Sequence, residues 1–295
     1  MRILYEGGHF FEGPRWHEGA WYVSDLYAEH VMRIAPDGTA GVALEVPQQP
    51  SGIGFMPDGS LLVVSMKDRR LLRQGSDGML REHATLAALT PWVCNDMVVD
   101  RVGRAYVGDF GFDLFNHGVP AETTLIKVDA DGRASIAADG LRFPNGSVIT
   151  ADGRTLIVAE SFRACLTAFT IGADGALGER RLFAQLGIVP PFDSIENMLN
   201  TDFIPDGCAI DAEDHVWVAD AKGGRAVRVA PNGEVVQTVK APDGCGVYAC
   251  ALGGPQGNTL LLCAAPDFSD VNRRAANEAV LYVEEVKVPR GQGLP

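Results

Sequence analysis

Glu12, Asn95, Asn145 and Asp206 stand at corresponding places in a repeat that runs through the chain, and each carries side-chain oxygen. Two carboxylates and two carboxamides brought together would suit a hard divalent cation: calcium first, then magnesium or manganese. Oxygen ligands do not exclude zinc or iron. Ser51 and Cys245 hold the same place in the two other copies and offer a hard ion poorer ligands. Asn-Gly and Asp-Gly are also common turn pairs, so one such residue alone would read as a turn. Four of them in register with a repeat point to a metal site.

The elements that must position these residues are strands. A short apolar, β-rich run returns six times: Trp21-Tyr-Val-Ser-Asp25, Leu61-Leu-Val-Val-Ser65, Ala105-Tyr-Val-Gly-Asp109, Leu156-Ile-Val-Ala-Glu160, Val216-Trp-Val-Ala-Asp220 and Leu261-Leu-Leu-Cys-Ala265. The starts lie 40, 44, 51, 60 and 45 residues apart, which is array spacing. A second strand follows each run, and in three copies it begins 10 residues after the first (21 to 31, 61 to 71, 216 to 226). That spacing fits a hairpin and not a helical crossover. Turns such as Pro36-Asp-Gly38 and Pro231-Asn-Gly233 close most second strands. Another strand precedes each run, as in Gly52-Ile-Gly-Phe55, and a fourth is often visible, as in Val42 to Val46. No segment sustains a helical period. The expectation is an all-β fold, a single six-bladed β-propeller of four-stranded antiparallel sheets over residues 1–295, with Arg2 to Tyr5 completing the last blade. In that fold the strand beginning beside each ring residue lines the central channel, so the ring residues converge near its axis.

Bulk composition narrows the partners. The 295 residues carry a formal charge of −13 and no Lys/Arg run, which argues against nucleic acid and against acidic membrane surfaces. The N-terminal MRILYEGGHF lacks the apolar core of a secretory signal, and the six cysteines form no C-x-x-C pair. Buried free thiols and a cytoplasmic location are expected. Competing motifs are thin. Gly244-Cys-Gly246 is followed by strand and not helix, Asp109-Phe-Gly111 lacks the other kinase elements, and no G-x-S-x-G elbow is present.

Several segments resemble the gluconolactonase, regucalcin (senescence marker protein) and luciferin-regenerating-enzyme family over almost the whole chain. They are Phe11-Glu-Gly-Pro-Arg-Trp16, Asn95-Asp96 with Val98-Val-Asp100, Phe143-Pro-Asn-Gly146, and Pro205-Asp-Gly-Cys-Ala-Ile-Asp-Ala212 running into Val216-Trp-Val-Ala219. The resemblance implies a metal held by Glu12, Asn145 and Asp206, with Asn95 beside them contacting substrate or metal. It implies hydrolysis of a lactone, in which one divalent ion polarises the carbonyl and activates water. Asp206 is then the expected general base, and Asn95 orients the substrate. Two alternatives keep the same site: hydrolysis of organophosphorus or aryl esters, and a calcium-binding propeller without turnover.

Family members acting on sugar acids carry an arginine two residues before the position matching Asn95. This chain has Val93 there, beside Trp92. Valine offers no donors where arginine offers several, so a substrate less polar than a free sugar lactone is expected. Two insertions rich in large apolar residues, Phe110 to Gly118 and Gly187 to Phe203, either roof the channel or pack on each other or on a neighbouring subunit. Trp92, Val93, Asn95, Asp109, Phe112 and His117 are the expected substrate contacts. The partner is a small lactone or ester, and oligomeric state is left open.

Overall fold

A computed structural model describes residues 1–291. The single-domain expectation runs to residue 295, so residues 292–295 lie outside the described part. Among the described residues there are six four-stranded antiparallel sheets, arranged as the six blades of a β-propeller. From the channel outwards, blade one is β2 (Phe11–His17), β3 (Ala20–Asp25), β4 (His30–Ile34) and β5 (Ala40–Glu45). Blade two is β6 (Pro50–Phe55), β7 (Leu61–Ser65), β8 (Arg70–Gln74) and β9 (Leu80–Thr85). Blade three is β10 (Cys94–Val99), β11 (Ala105–Asp109), β12 (Thr123–Val128) and β13 (Ala134–Leu141). Blade four is β14 (Pro144–Ile149), β15 (Thr155–Glu160), β16 (Cys165–Ile171) and β17 (Leu177–Gln185). Blade five is β18 (Pro205–Ile210), β19 (Val216–Asp220), β20 (Arg225–Val229) and β21 (Val235–Lys240). Blade six is β22 (Gly246–Gly253), β23 (Thr259–Ala265) and β24 (Ala279–Glu285), closed by the N-terminal β1 (Arg2–Gly8). The helical elements are a 3-10 turn at Ser161–Arg163, α1 (Ile195–Met198) and α2 (Asp270–Ala275). None is long and apolar enough to cross a membrane.

Asp37-Gly38, Asp131-Gly132, Asp174-Gly175 and Asn232-Gly233 form tight turns for the same two reasons. The acidic or amide side chain accepts the backbone N–H two residues on, at 2.9–3.1 Å in Asp37 to Thr39, Asp131 to Arg133, Asp174 to Ala176 and Asn232 to Glu234. The glycine that follows takes positive φ, as at Gly38 with φ 89°. Apolar residues of neighbouring blades interdigitate to form the core. Val31, Ile53, Phe55 and Val63 pack between blades one and two. Tyr106, Leu125, Ile149, Leu156 and Phe169 pack between blades three and four. The cysteines are free, and all except Cys245 are buried.

The inner strands meet around the axis at very short range. A Cβ on Gly52 would lie 2.4 Å from the backbone nitrogen of Met97, and one on Gly146 would lie 2.4 Å from that of Cys208. The glycines after Ser51 and Asn145 are therefore required by the approach of the adjacent inner strand and not by a turn.

Candidate metal and substrate site

Each inner strand breaks register with its neighbour where the chemistry sits. The breaks fall between Glu12 and Arg15 on β2, Pro50 and Ile53 on β6, and Cys94 and Met97 on β10. They fall between Pro144 and Ser147 on β14, and between Pro205 and Cys208 on β18. A bulge bends the strand and re-aims a side chain. Here it turns Glu12, Asn95, Asn145 and Asp206 to one cavity of about 310 Å³ at the mouth of the channel. Blade six differs from the sequence reading. Gly246 pairs with Ala265 as Pro205 pairs with Asp220, so Val247 and not Cys245 occupies the sixth ring position. Val247 is fully buried, and the next residue, Tyr248, lines the cavity.

The floor is buried and acidic. Burial raises the pKa of Glu12 well above the usual range, and the charges of Asp206 and then Asp96 add to the effect; the Gly13 N–H and Arg15 oppose it. Asp206 is raised by burial and then by Asp96, against the Gly207 N–H and Asn145. Asp96 is also raised by burial, and Arg15 beneath the floor opposes that shift. The Arg15 guanidinium donates to the Met97 carbonyl at 2.6 Å and lies 3.4 Å from Asp96. Asn145 Nδ2 donates to Ser161 Oγ at 3.2 Å, which leaves its Oδ1 buried without a partner. Asp206 Oδ1 is also buried without a partner. Ser51 Oγ donates to Asn95 Oδ1 at 3.2 Å, so the amide NH₂ of Asn95 is the group left for a ligand. Two buried carboxylates that repel, beside two orphaned oxygens, form a donor set that fits a hard cation. Among the described residues no three His, Cys, Asp or Glu side chains are grouped to hold a metal, so the Asn145 carboxamide would have to be the third ligand.

In three blades a carboxylate at the end of the strand beside the inner one, on β3, β15 and β19, holds the loops in place. Asp25 accepts the backbone N–H groups of His9 and Phe10 at 3.0–3.2 Å. Asp220 accepts those of Ile204, Lys222 and Gly223 at 3.0–3.2 Å. Glu160 accepts that of Arg142 at 2.9 Å. In this way three buried carboxylates fix the backbone two or three residues before Glu12, Asp206 and Asn145.

The cavity wall is aromatic. Phe110 lies 4.7 Å from Phe143, which lies 5.2 Å from Phe162; on the other side Phe10 lies 4.7 Å from Tyr248 (ring centroids). Phe143 adopts φ 57°, a left-handed backbone that costs a bulky residue about 1–3 kcal/mol and is found mostly at functional sites. Both insertions reach the cavity, through Phe110, Leu114 and Phe115 and through Leu199. The second also packs inward at Met198, while Phe192 stacks beneath Arg142 at 4.4 Å. The sequence reading missed a third loop, residues 266–278, which brings Pro266, Asp267 and Phe268 to the rim. Its signal was available: Leu261 and Leu281 are 20 residues apart, twice the hairpin spacing.

Of the expected substrate contacts, Asn95 lines the cavity, whereas Trp92, Val93, Asp109, Phe112 and His117 are not among its lining residues. Asp109 is fully buried and braces the first insertion, accepting Gly111 N at 2.8 Å and Thr123 Oγ1 at 2.5 Å. Phe112 packs in the core 6.0 Å from Phe162, and His117 is exposed with φ 55°. Trp92 and Val93 are half-buried.

Comparison with known proteins gives the family and the fold. The profile of the SMP-30/gluconolactonase/LRE-like region matches residues 10–266. A pentonolactonase, XacC, of Haloferax volcanii is 26% identical over 271 residues, covering 91% of this chain and 86% of the relative. A 6-deoxy-6-sulfogluconolactonase of Pseudomonas putida is 26% identical over 258 residues, covering 86% and 82%. The crystal structure of a calcium-binding protein, regucalcin, from Agrobacterium tumefaciens superposes with a TM-score of 0.80 at 22% identity, covering 100% of this chain and 96% of that one.

Proposed function

The chain belongs to the SMP-30/gluconolactonase/LRE-like family, and from that premise we propose that it hydrolyses a lactone at the floor formed by Glu12, Asn95, Asn145 and Asp206, with a divalent cation held by Glu12, Asn145 and Asp206. The observation that carries the reading is the pair of orphaned oxygens, Asn145 Oδ1 and Asp206 Oδ1, beside two mutually repelling buried carboxylates. The lactonase names of the Haloferax and Pseudomonas relatives supply the reaction class, and the calcium-binding regucalcin structure makes calcium the first ion to test. A bound divalent cation supplies Lewis acidity to an ester carbonyl and lowers the pKa of water.

The protein's own groups do the rest. The Asn95 NH₂, fixed by Ser51, donates to an oxygen of the substrate and sets its orientation. Asp206 takes the proton of the attacking water. Water adds to the acyl carbon, the bond from acyl carbon to ring oxygen breaks, and the ring oxygen leaves with a proton as the hydroxyl of a hydroxy acid. The aromatic wall excludes bulk water and strengthens each of these polar contacts.

The test strips the protein with chelator and restores calcium, magnesium, manganese or zinc one at a time. Each form is assayed on lactones, aryl esters and phosphotriesters. Loss and recovery of lactone hydrolysis is expected. Full activity in demonstrably metal-free protein would defeat the cation assignment. Preference for phosphotriesters would move the reaction to that class, and binding of calcium without turnover of any ester would leave a non-catalytic calcium-binding propeller.

A further inference from the structure

The loops above the floor carry a chemistry that ester hydrolysis itself does not need. Phe110, Phe143 and Phe162 make one continuous wall and Phe10 and Tyr248 another, both over the same acidic floor. At the rim Phe115 and Phe268 remain 42% and 39% exposed, on two different loops of the same face. Exposed aromatic rings at the mouth of a cavity give an apolar ligand a surface to meet before it is buried.

Lys222, Asp267, Tyr27 and Ser161 at the rim each have a partner within the protein. Lys222 Nζ donates to the Leu199 carbonyl at 2.9 Å. Asp267 accepts from Asn272 Nδ2 at 3.0 Å and from the Arg273 guanidinium at 3.3 Å. Tyr27 is hydrogen-bonded to Asp270. Ser161 Oγ donates to the Pro205 carbonyl at 2.7 Å. A substrate with several hydroxyls would bury them against phenyl rings. Each hydroxyl left without a partner weakens binding by roughly tenfold.

Resting on the lactone-hydrolase reading of the floor, we propose that the substrate is a monocyclic lactone with a compact apolar substituent, alkyl or aryl. The substituent lies against the Phe110–Phe143–Phe162 wall and the ester group meets the floor. The cavity of about 310 Å³ sets the size. It is at the low end of small-molecule sites, about 300–1,000 Å³, which suits one ring with a short chain or a phenyl group. The products are the hydroxy acid with its substituent intact.

The experiment measures kcat/KM of the cation-loaded protein on a pentyl- or phenyl-substituted δ-lactone and on gluconolactone. The substituted lactone is expected to win by at least about tenfold, the scale of burying a few methylenes. Phe143→Ala should raise its KM about tenfold or more while moving that of the unsubstituted δ-lactone far less. Phe115→Ser, on the exposed rim, asks the same question without disturbing the core. A preference for gluconolactone, or equal KM changes for both lactones in both variants, overturns the proposal. Turnover of no lactone at all would sink the hydrolase reading instead. Calorimetric titration with the substituted and the polyhydroxylated lactams, which keep the shapes without the ester, then judges the cavity alone. Tighter binding of the substituted lactam supports the apolar pocket, and equal or absent binding overturns it.

Discussion

Glu12 and Asp206 are two acids held out of water: burial, Asp206 and Asp96 make Glu12 costlier to ionise, and burial and Asp96 do the same for Asp206. A cation that binds the folded chain stabilises it by about 2.7 kcal/mol at a concentration 100 times its Kd. Asp206→Asn should abolish that cation-induced rise in melting temperature. It should also leave the metal-free protein as stable as the parent or more so, because a repulsive charge is gone. Calorimetry with and without chelator checks both effects, and an undiminished cation-induced shift in the variant would show the ligand assignment to be wrong. Ser51 gives a subtler case: it touches Asn95 and not the expected ligands. Losing one hydrogen bond of about 1 kcal/mol in Ser51→Ala should lower kcat/KM about fivefold with metal content unchanged. The floor could be read from sequence because its residues combine oxygen-bearing types with a fixed place before a strand. The wall could not. Phe10, Phe143 and Phe162 have no such pattern in sequence, and Phe143 lines the cavity from a left-handed backbone that phenylalanine seldom adopts.

Strand positions follow from alternation and turn chemistry, so all six first strands and the N-terminal closing strand lie where the repeat puts them. What the pattern did not carry is register. The Cys245-Gly246 pair imitates Asp206-Gly207, but strand pairing puts Gly246 opposite Ala265 and shifts the sixth ring position by two residues, to Val247. Glycine before a strand can serve a turn or a close approach, and residue type alone does not separate the two. Gly146 shows the second use. An added methyl would meet the Cys208 nitrogen at 2.4 Å, within the contact that sets blades four and five side by side and Asn145 beside Asp206. Gly146→Ala should therefore cost about 1–3 kcal/mol of stability by overpacking. It should also weaken cation binding more than a core substitution of equal cost away from the axis. Cation titration of this variant beside Ala168→Val, on β16 of blade four, makes the comparison. Equal affinities would mean that spacing at the axis does not set the ligand geometry.

At the scale of the whole molecule, closure of the ring and assembly of the site use one stretch of chain. β1 completes blade six against β24, and only His9 and Phe10 separate it from β2, which carries Glu12. Asp25 holds the N–H groups of those two linking residues, and Phe10 forms part of the cavity wall. The outermost strand of each blade is a short edge strand, and β1 fills that place in blade six; its removal exposes β24 to pairing with other chains. Leu4 anchors β1 in the core at 7% exposure. Leu4→Ala should cost about 2–5 kcal/mol, the usual loss for a buried leucine. If closure and site are mechanically one, cation affinity should fall with it, although Leu4 does not line the cavity. Deletion of residues 1–8 should go further: strand-rich circular dichroism retained at low temperature, a concentration-dependent loss of solubility through the exposed β24, and cation binding reduced out of proportion to the spectral change. The alternative is a site carried by the inner strands alone. In that case the truncated protein would bind the cation with the parent affinity for as long as it stays folded. Titration of the freshly purified monomer distinguishes the two, because the inner strands β2, β10, β14 and β18 are all still present and only the tether before Glu12 has been released.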